Sequence, residues 1–474
     1  MTEEAKESIE MDQHEEEAKD AVEEETQPID NSDSNEVPEP EELPPLTYVD
    51  FTPKCLGSTI VGKEPDFAEF GTVIEEANEW LEAHPQFTVY KCETLASRLG
   101  ADFNIDGDVS LVHVSSNGRN VFLRSLRVWL IPTADPTAPV QKIGYITALP
   151  DHSSGDLQAF LNSLTNSATS RQIGDITFPS FDTLTQTVEK LNRHLQSKPI
   201  PGRILCMETL TFKCMEANTS DKLATEASTW SEGGSNAKVF LHGFRVFYIL
   251  GKPCFESVGY YDEVPDIFQS KDGLALKLKF ATFDQTLSKA ASWLKKQSGF
   301  RIVNIQSVTV KLERKYGQGP WILDPTIPGY TDNPGLTESR FTKIIRIAYV
   351  KEQKLNNPLP YAQVTLTSRL FIPCRVDGRL FETMSKTIMR VMKWLSKTRL
   401  PVFACETVRY HLTNDSEGQG FNNDRLDSLI NSYQGQHYLT CIRLYFPCTF
   451  EEPQPDPADP EDLGWGWGWA CVVS

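Results

Sequence analysis

The sequence has no glycine-rich phosphate loop, no nucleophile elbow and no metal-binding helix motif. The usual signatures of phosphoryl transfer, acyl transfer and zinc chemistry are therefore missing. Its eight histidines are dispersed without ligand-like spacing. Its ten cysteines include no C-x-x-C pair. Cys92, Cys206 and Cys405 are read at one position of the repeat below, as buried small residues rather than disulfide partners. There is no basic run, RNP-like motif or zinc-finger spacing, so nucleic acid is not an expected partner. No basic-then-apolar leader opens the chain, and no apolar run approaches the length of a membrane span. These absences describe a reduced, cytosolic, non-catalytic type of protein.

Charge is in excess, but only at the two ends. The formal net charge is −19, yet residues 1–45 hold 18 acids against Lys6 and Lys19, and residues 451–470 add six acids and no base. The body between them is left near +3. Residues 1–47 are acidic, rich in proline and almost free of aromatics, so they are expected to form a disordered tail that cannot offset its chain entropy.

What is present is a segment that recurs four times. It reads Phe122-Leu123-Arg124-Ser125-Leu126-Arg127-Val128-Trp129, then Phe240–Phe247, Phe341–Ala348 and Tyr438–Tyr445. An aromatic opens each copy, and five residues later an arginine stands between apolar neighbours: Arg127, Arg245, Arg346 and Arg443. This density of aromatic and β-branched residues predicts strands buried on both faces. Before each lies a second strand containing Cys92-Glu93-Thr94, Met207-Glu208-Thr209, Ile305-Gln306-Ser307 or Cys405-Glu406-Thr407. Before that, apolar residues at helical spacing mark a helix, with Trp80, Trp293 and Trp394 recurring as helix-on-sheet contacts. A shorter strand opens each unit, at Ser58–Val61, Ile143–Ala148, Ser257–Tyr261 and Gln363–Arg369. Long loops rich in turn formers, roughly residues 101–119, 216–237, 315–340 and 413–436, separate the two later strands.

The fold class is therefore α+β, with four β-α-β-β units. One sheet–helix layer of this size cannot close its own core, so the units are expected to pack as two pseudo-symmetric pairs. These pairs are residues 48–252 and 253–450, followed by an acidic, Pro-rich leash at 451–474. A duplicated β-α-β-β unit resembles the plan of the SOUL heme-binding and GyrI-like effector-binding superfamily. That resemblance implies a small-molecule groove between paired units, and some members use a glutamate in it.

Glu93 with Arg127, Glu208 with Arg245 and Glu406 with Arg443 are expected to meet across their hairpins as buried structural pairs. In the third unit Gln306 faces Arg346, so Arg346 is the freest arginine to bind an anionic ligand. His242, on the second arginine strand, is a further ligand-binding candidate. No cofactor is required, heme on His242 being the one possibility.

The chain ends Cys471-Val472-Val473-Ser474, a farnesyl-type C-a-a-X box in which Cys471 would be lipidated, trimmed and methylated. One lipid anchors weakly, and Trp465, Trp467 and Trp469 are expected either to supply a second interfacial signal or to dock as a strand-like segment on the protein's own body. The expected protein is cytoplasmic, peripheral on a membrane, and binds a small ligand or partner through the groove and loops of its repeats. The alternatives are a structural protein at a membrane and an enzyme whose site lies in the repeat-end loops.

Overall fold

The computed structural model describes residues 43–57, 65–100, 105–114, 119–135, 137–152, 181–216, 224–233, 238–272, 275–314, 321–332, 339–352, 361–377, 380–412, 427–430 and 436–454. Its class is mixed α+β, with strand predominating. The principal elements follow one order four times. The first run is β1 (Thr47–Phe51), α1 (Phe70–Ala83), β2 (Phe87–Arg98), β3 (Leu111–Val114) and β4 (Asn120–Pro132). The second is β5 (Ile143–Ala148), α2 (Leu184–Ser197), β6 (Gly202–Glu216), β7 (Thr229–Glu232) and β8 (Lys238–Leu250). The third is β9 (Glu256–Glu263), α3 (Phe283–Leu294), β10 (Arg301–Lys311), β11 (Gly329–Asp332) and β12 (Ser339–Glu352). The fourth is β13 (Thr367–Phe371), α4 (Met384–Thr398), β14 (Ala404–Leu412), β15 (Asp427–Ile430) and β16 (Gln436–Phe446).

Each helix forms where the apolar spacing asks for one. Thr183 and Thr282 close capping boxes with Gln186 and Gln285, and Thr383 accepts from Lys386 N. The second helix opens at Leu184 rather than at Phe181, because Thr183 is its cap and Phe181 bridges to His152. The first strand among the described residues is Thr47–Phe51, where a β-prone Thr-Tyr-Val pairs with Leu126–Leu130. The expected Ser58–Val61 lies outside the described residues. Leu46 is fully buried beside Trp129 and Trp394, so the ordered body begins before residue 48.

The arginine strand is central in each sheet. Its whole length pairs with the second strand on one edge, Phe87–Arg98 against Phe122–Pro132 in the first sheet. On the other edge the short first strand covers only the C-terminal half, Leu126–Leu130. A strand from the next run's long loop covers the remainder. β7 pairs with Asn120–Leu123, β11 with Lys238–Leu241, and β15 with Ser339–Thr342. β3, from the first run, pairs with Gln436–Leu439 of the last. The long loops thus cover edges that would otherwise expose unpaired backbone, and the links pass through all four sheets and return to the first.

The cores follow the same path. One cluster joins α1 residues such as Phe70 and Ile74 to Cys206 and Phe247 of the second run. The others join α2 to Val258 and Val350, α3 to Ala404 and Tyr445, and α4 to Leu46 and Trp129. The expected grouping into two pairs divided at 252/253 is not how the core is parted: residues from Pro44 onward form one compact unit, and Val246 and Val258 share a cluster across that border. The physical reason is that each helix covers part of the following sheet. β-bulges assist by leaving Tyr90, Leu205 and Val303 out of register, each packed into the preceding run's cluster.

Candidate functional site

All four arginines lie on the central strands opposite the residues expected: Arg127 to Glu93, Arg245 to Glu208, Arg346 to Gln306 and Arg443 to Glu406. All are buried. Register does not make them ion pairs, however. Arg127 binds Asp50 through Nε at 2.7 Å and Nη2 at 2.6 Å, and Arg346 binds Asp262 at the same two distances. Both acids stand on the first strand, the other neighbour of the arginine strand. Arg245 meets Thr147, Thr94 and the carbonyl of Thr225 at 3.1–3.4 Å. Of the three expected pairs only Glu406–Arg443 comes within ion-pair range, at 3.5 Å, and Arg443 donates instead to Ser368 and Tyr410.

The glutamates are turned away to the preceding sheet. Both oxygens of Glu208 accept from Thr94 N, at 2.9 and 3.2 Å. Gln306 accepts from Thr209 N at 2.9 Å and donates to Thr209 O at 3.1 Å. Glu406 takes Ser307 N and Oγ at 2.6 and 2.7 Å, and Glu93 takes Thr407 N and Oγ1, both at 2.9 Å. Four side chains thus tie four second strands together, the first to the fourth included. Three arginines reinforce the tie by donating to the hydroxyls of the same residues, Arg127 to Thr407, Arg245 to Thr94 and Arg346 to Thr209. Burial pushes the Glu208 carboxyl up to about 7, against the pull of Thr94 and Arg245.

Two residues before these glutamates, Lys91 and Cys206 donate to the carbonyls of Cys405 and Cys92, and Asn304 Nδ2 donates to Met207 O at 3.0 Å. Cys206 therefore stands one place earlier than Cys92 and Cys405. The three buried thiols are free, and burial raises the pKa of each.

Each seam between successive sheets carries a second basic group beside its arginine. Arg124 lies near Arg245, His242 near Arg346, Lys343 near Arg443 and Arg409 near Arg127, and each is lowered by burial first and by the repelling arginine after it. For Lys343, Glu406 opposes these effects, and for Arg409, Tyr438 does. Arg124 is enclosed by the Trp230 and Phe212 rings, 4.2 and 4.8 Å away, and donates to Ala227 O and Thr211 O. Lys343 donates to Thr309 Oγ1 at 3.1 Å. The other two face open space. His242 Nδ1 meets Thr211 Oγ1 at 3.1 Å, while its buried Nε2 has no partner among the described residues, on the wall of a cavity of about 300 Å³ with Lys311, Glu313, Asp324 and Tyr330. Burial drives that imidazole down to about 3, so it is neutral at physiological pH. Arg409 lines a cavity of about 530 Å³.

Comparison of the chain with protein-family models, with curated proteins and with solved structures finds no match. The site must speak for itself.

Of the residues singled out from sequence, Arg346, Gln306 and His242 do gather at one seam, the second-to-third. The expectation that Arg346 is free is overturned, because Asp262 neutralises it and Thr209 occupies its remaining Nη1. His242 alone retains an unused polar atom facing space. A heme does not fit there. The cavity is small and rimmed by Lys311, Glu313 and Asp324, where a macrocycle needs a broad apolar slot. Among the described residues no group of three or more His, Cys, Asp or Glu could hold a metal ion, and no helix is long and apolar enough to cross a membrane. The hydroxyl partners had a visible signal: Thr or Ser directly follows every repeated Glu or Gln. Asp50, Asp262 and Arg409 had none, since other runs place Thr147, Leu370, Ala96 or Thr211 there.

Proposed function

We propose that the protein is a non-catalytic binding protein built from four copies of one β-α-β-β unit closed into a ring, with a small polar molecule held in its seams. The observation that carries this reading is that two seams keep a cavity with a polar side chain on its wall, His242, whose buried Nε2 has no partner among the described residues, in one and the half-buried Arg409 in the other. The remaining two spend their second cation on internal contacts, Arg124 between rings and Lys343 on Thr309. Buried polar groups are ordinarily satisfied, so an unsatisfied one facing space is a place for a ligand. On this reading the seams would serve as the groove that the resemblance to effector-binding domains implies. Catalysis is disfavoured because the acids are engaged: Glu93, Glu208 and Glu406 accept from backbone N–H groups, and Asp50 and Asp262 hold arginines.

Native mass spectrometry of protein purified from its own source tests the proposal. A mass adduct that survives gentle ionisation and is lost on denaturation is expected, with reduced occupancy in His242→Phe or Arg409→Gln. A bare polypeptide mass in every preparation, apart from covalent lipid, would count against it and favour a purely structural ring.

Farnesylation of Cys471, and with it peripheral attachment of a cytoplasmic protein to a membrane, belongs to the same proposal. Cys471, Trp465, Trp467 and Trp469 lie outside the described residues, and so does the acidic tail, residues 1–42. The reading rests on the terminal Cys-Val-Val-Ser and on the acidic flank, which supplies no electrostatic help at an anionic leaflet. A clickable farnesyl analogue is expected to label the wild-type chain and not Cys471→Ser, and the variant is expected to leave the membrane fraction. An unlabelled wild type, in cells that label other such substrates, removes the lipid from the account.

A further inference from the structure

We propose that the cavity at the fourth-to-first seam binds an organic carboxylate, with its anionic head on Arg409 and its apolar body against the cavity wall. The inference deepens the seam-binding reading above and rests on it. The wall carries two kinds of residue. Arg409, Arg127, Ser97 and Thr440 are polar, and Leu95, Leu99, Ile105, Val109 and Met384 are apolar.

The other charged groups on this wall are already engaged. Arg127 forms its two-bonded pair with Asp50 and donates a third bond to Thr407. Arg98 donates to Asn120 Oδ1 at 2.9 Å and to His113 O at 2.8 Å. Asp106 accepts from Asp108 N at 3.0 Å. Arg409 is partly buried and, among the described residues, has neither a hydrogen-bond acceptor nor a carboxylate. A guanidinium partly screened from water without a counter-ion is costly, and a second guanidinium beside it adds to the cost. An anion from outside relieves both.

The planar fork of arginine matches a carboxylate through two parallel bonds. The apolar residues exclude a bare inorganic anion as the natural occupant, since nothing there would replace its water. A cavity of about 530 Å³ has the size of an ordinary small-molecule site. The sequence around Arg409 sets this seam apart. On the second strands the equivalent places hold Ala96, opposite Arg124, and Thr211, opposite His242, so a long cation there occurs only in the last run.

The test is calorimetric titration of the full chain with octanoate, octanol and inorganic phosphate. Octanoate should bind about ten- to hundredfold more tightly than octanol, the ratio expected for hydrogen bonds to a charged group. Arg409→Gln should remove that preference, and Arg409→Lys should keep part of it. Leu95→Trp, which fills the cavity and leaves Arg409 in place, should abolish octanoate binding, and this variant decides the matter should Arg409→Gln fail to fold. Equal binding of octanoate and octanol, unchanged octanoate affinity in Arg409→Gln or Leu95→Trp, or phosphate binding as tightly as octanoate would each overturn the proposal. A natural adduct that both variants retain would overturn it while leaving seam binding intact. No adduct and no binding of any probe would remove both.

Discussion

Asp262→Ala is expected to destabilise the protein by about 3–5 kcal/mol, as breaking a buried pair from one side does. Arg346 would be left charged and buried, with only Thr209 Oγ1 and the distant carbonyl of Pro325, at 3.3 Å, as acceptors. The loss belongs to the abandoned cation more than to the pair, so Asp262→Ala combined with Arg346→Met should recover most of it. Asp50→Ala should cost less, because the Asp50 side chain is 25% exposed against 7% for Asp262 and water can reach Arg127 in its place. Urea unfolding midpoints of the three variants measure this. Equal, small losses for Asp262→Ala and Asp50→Ala would show that the guanidinium is hydrated in both seams.

Glu208→Gln should do the opposite and stabilise the protein above neutral pH. The folded chain holds the Glu208 carboxyl up to about 7, against 4.5 ordinarily. Between those values the folded state binds a proton that the unfolded chain has released. Stability is therefore greatest below about pH 4.5 and falls as pH rises to about 7, by about 3 kcal/mol at most. Glutamine has no such loss. Gln306 also shows that an amide at this position bonds both the N–H and the C=O of the facing residue, where ionised Glu208 can serve only the N–H of Thr94. The difference in unfolding free energy between wild type and Glu208→Gln should thus grow in the variant's favour from pH 5 to pH 8. Parallel pH curves would mean that Glu208 is ionised at no cost.

The fold was largely legible because it is written four times. One copy of an aromatic-to-arginine segment is an ambiguous apolar run, whereas four copies fix the central strand and place Glu93, Glu208, Gln306 and Glu406 opposite it. The direction in which those side chains turn was not legible. A strand has two neighbours, and register opposite Arg127 says nothing about the sheet that lies beyond Glu93. The same limit hid the closure. Leu111–Val114 reads as part of a long loop, and its partner Gln436–Leu439 is brought near only by the whole intervening fold. Asp50 and Asp262 escaped because the first strands vary between copies. Arg409 escaped because a single arginine beside a repeat looks like a solvated one.

Closure also sets a schedule for synthesis on the ribosome. The first three arginine strands each receive their last edge partner from the run made next, so each sheet is completed soon after it emerges. The strand Leu111–Val114 has no such early use: the strand it covers, with Leu111 against Leu439, is among the last parts made. Until then the nascent chain carries a bare edge and an open α4-type seam at its oldest end. That is the stretch where pairing with a wrong partner, or with another nascent chain, has the longest opportunity.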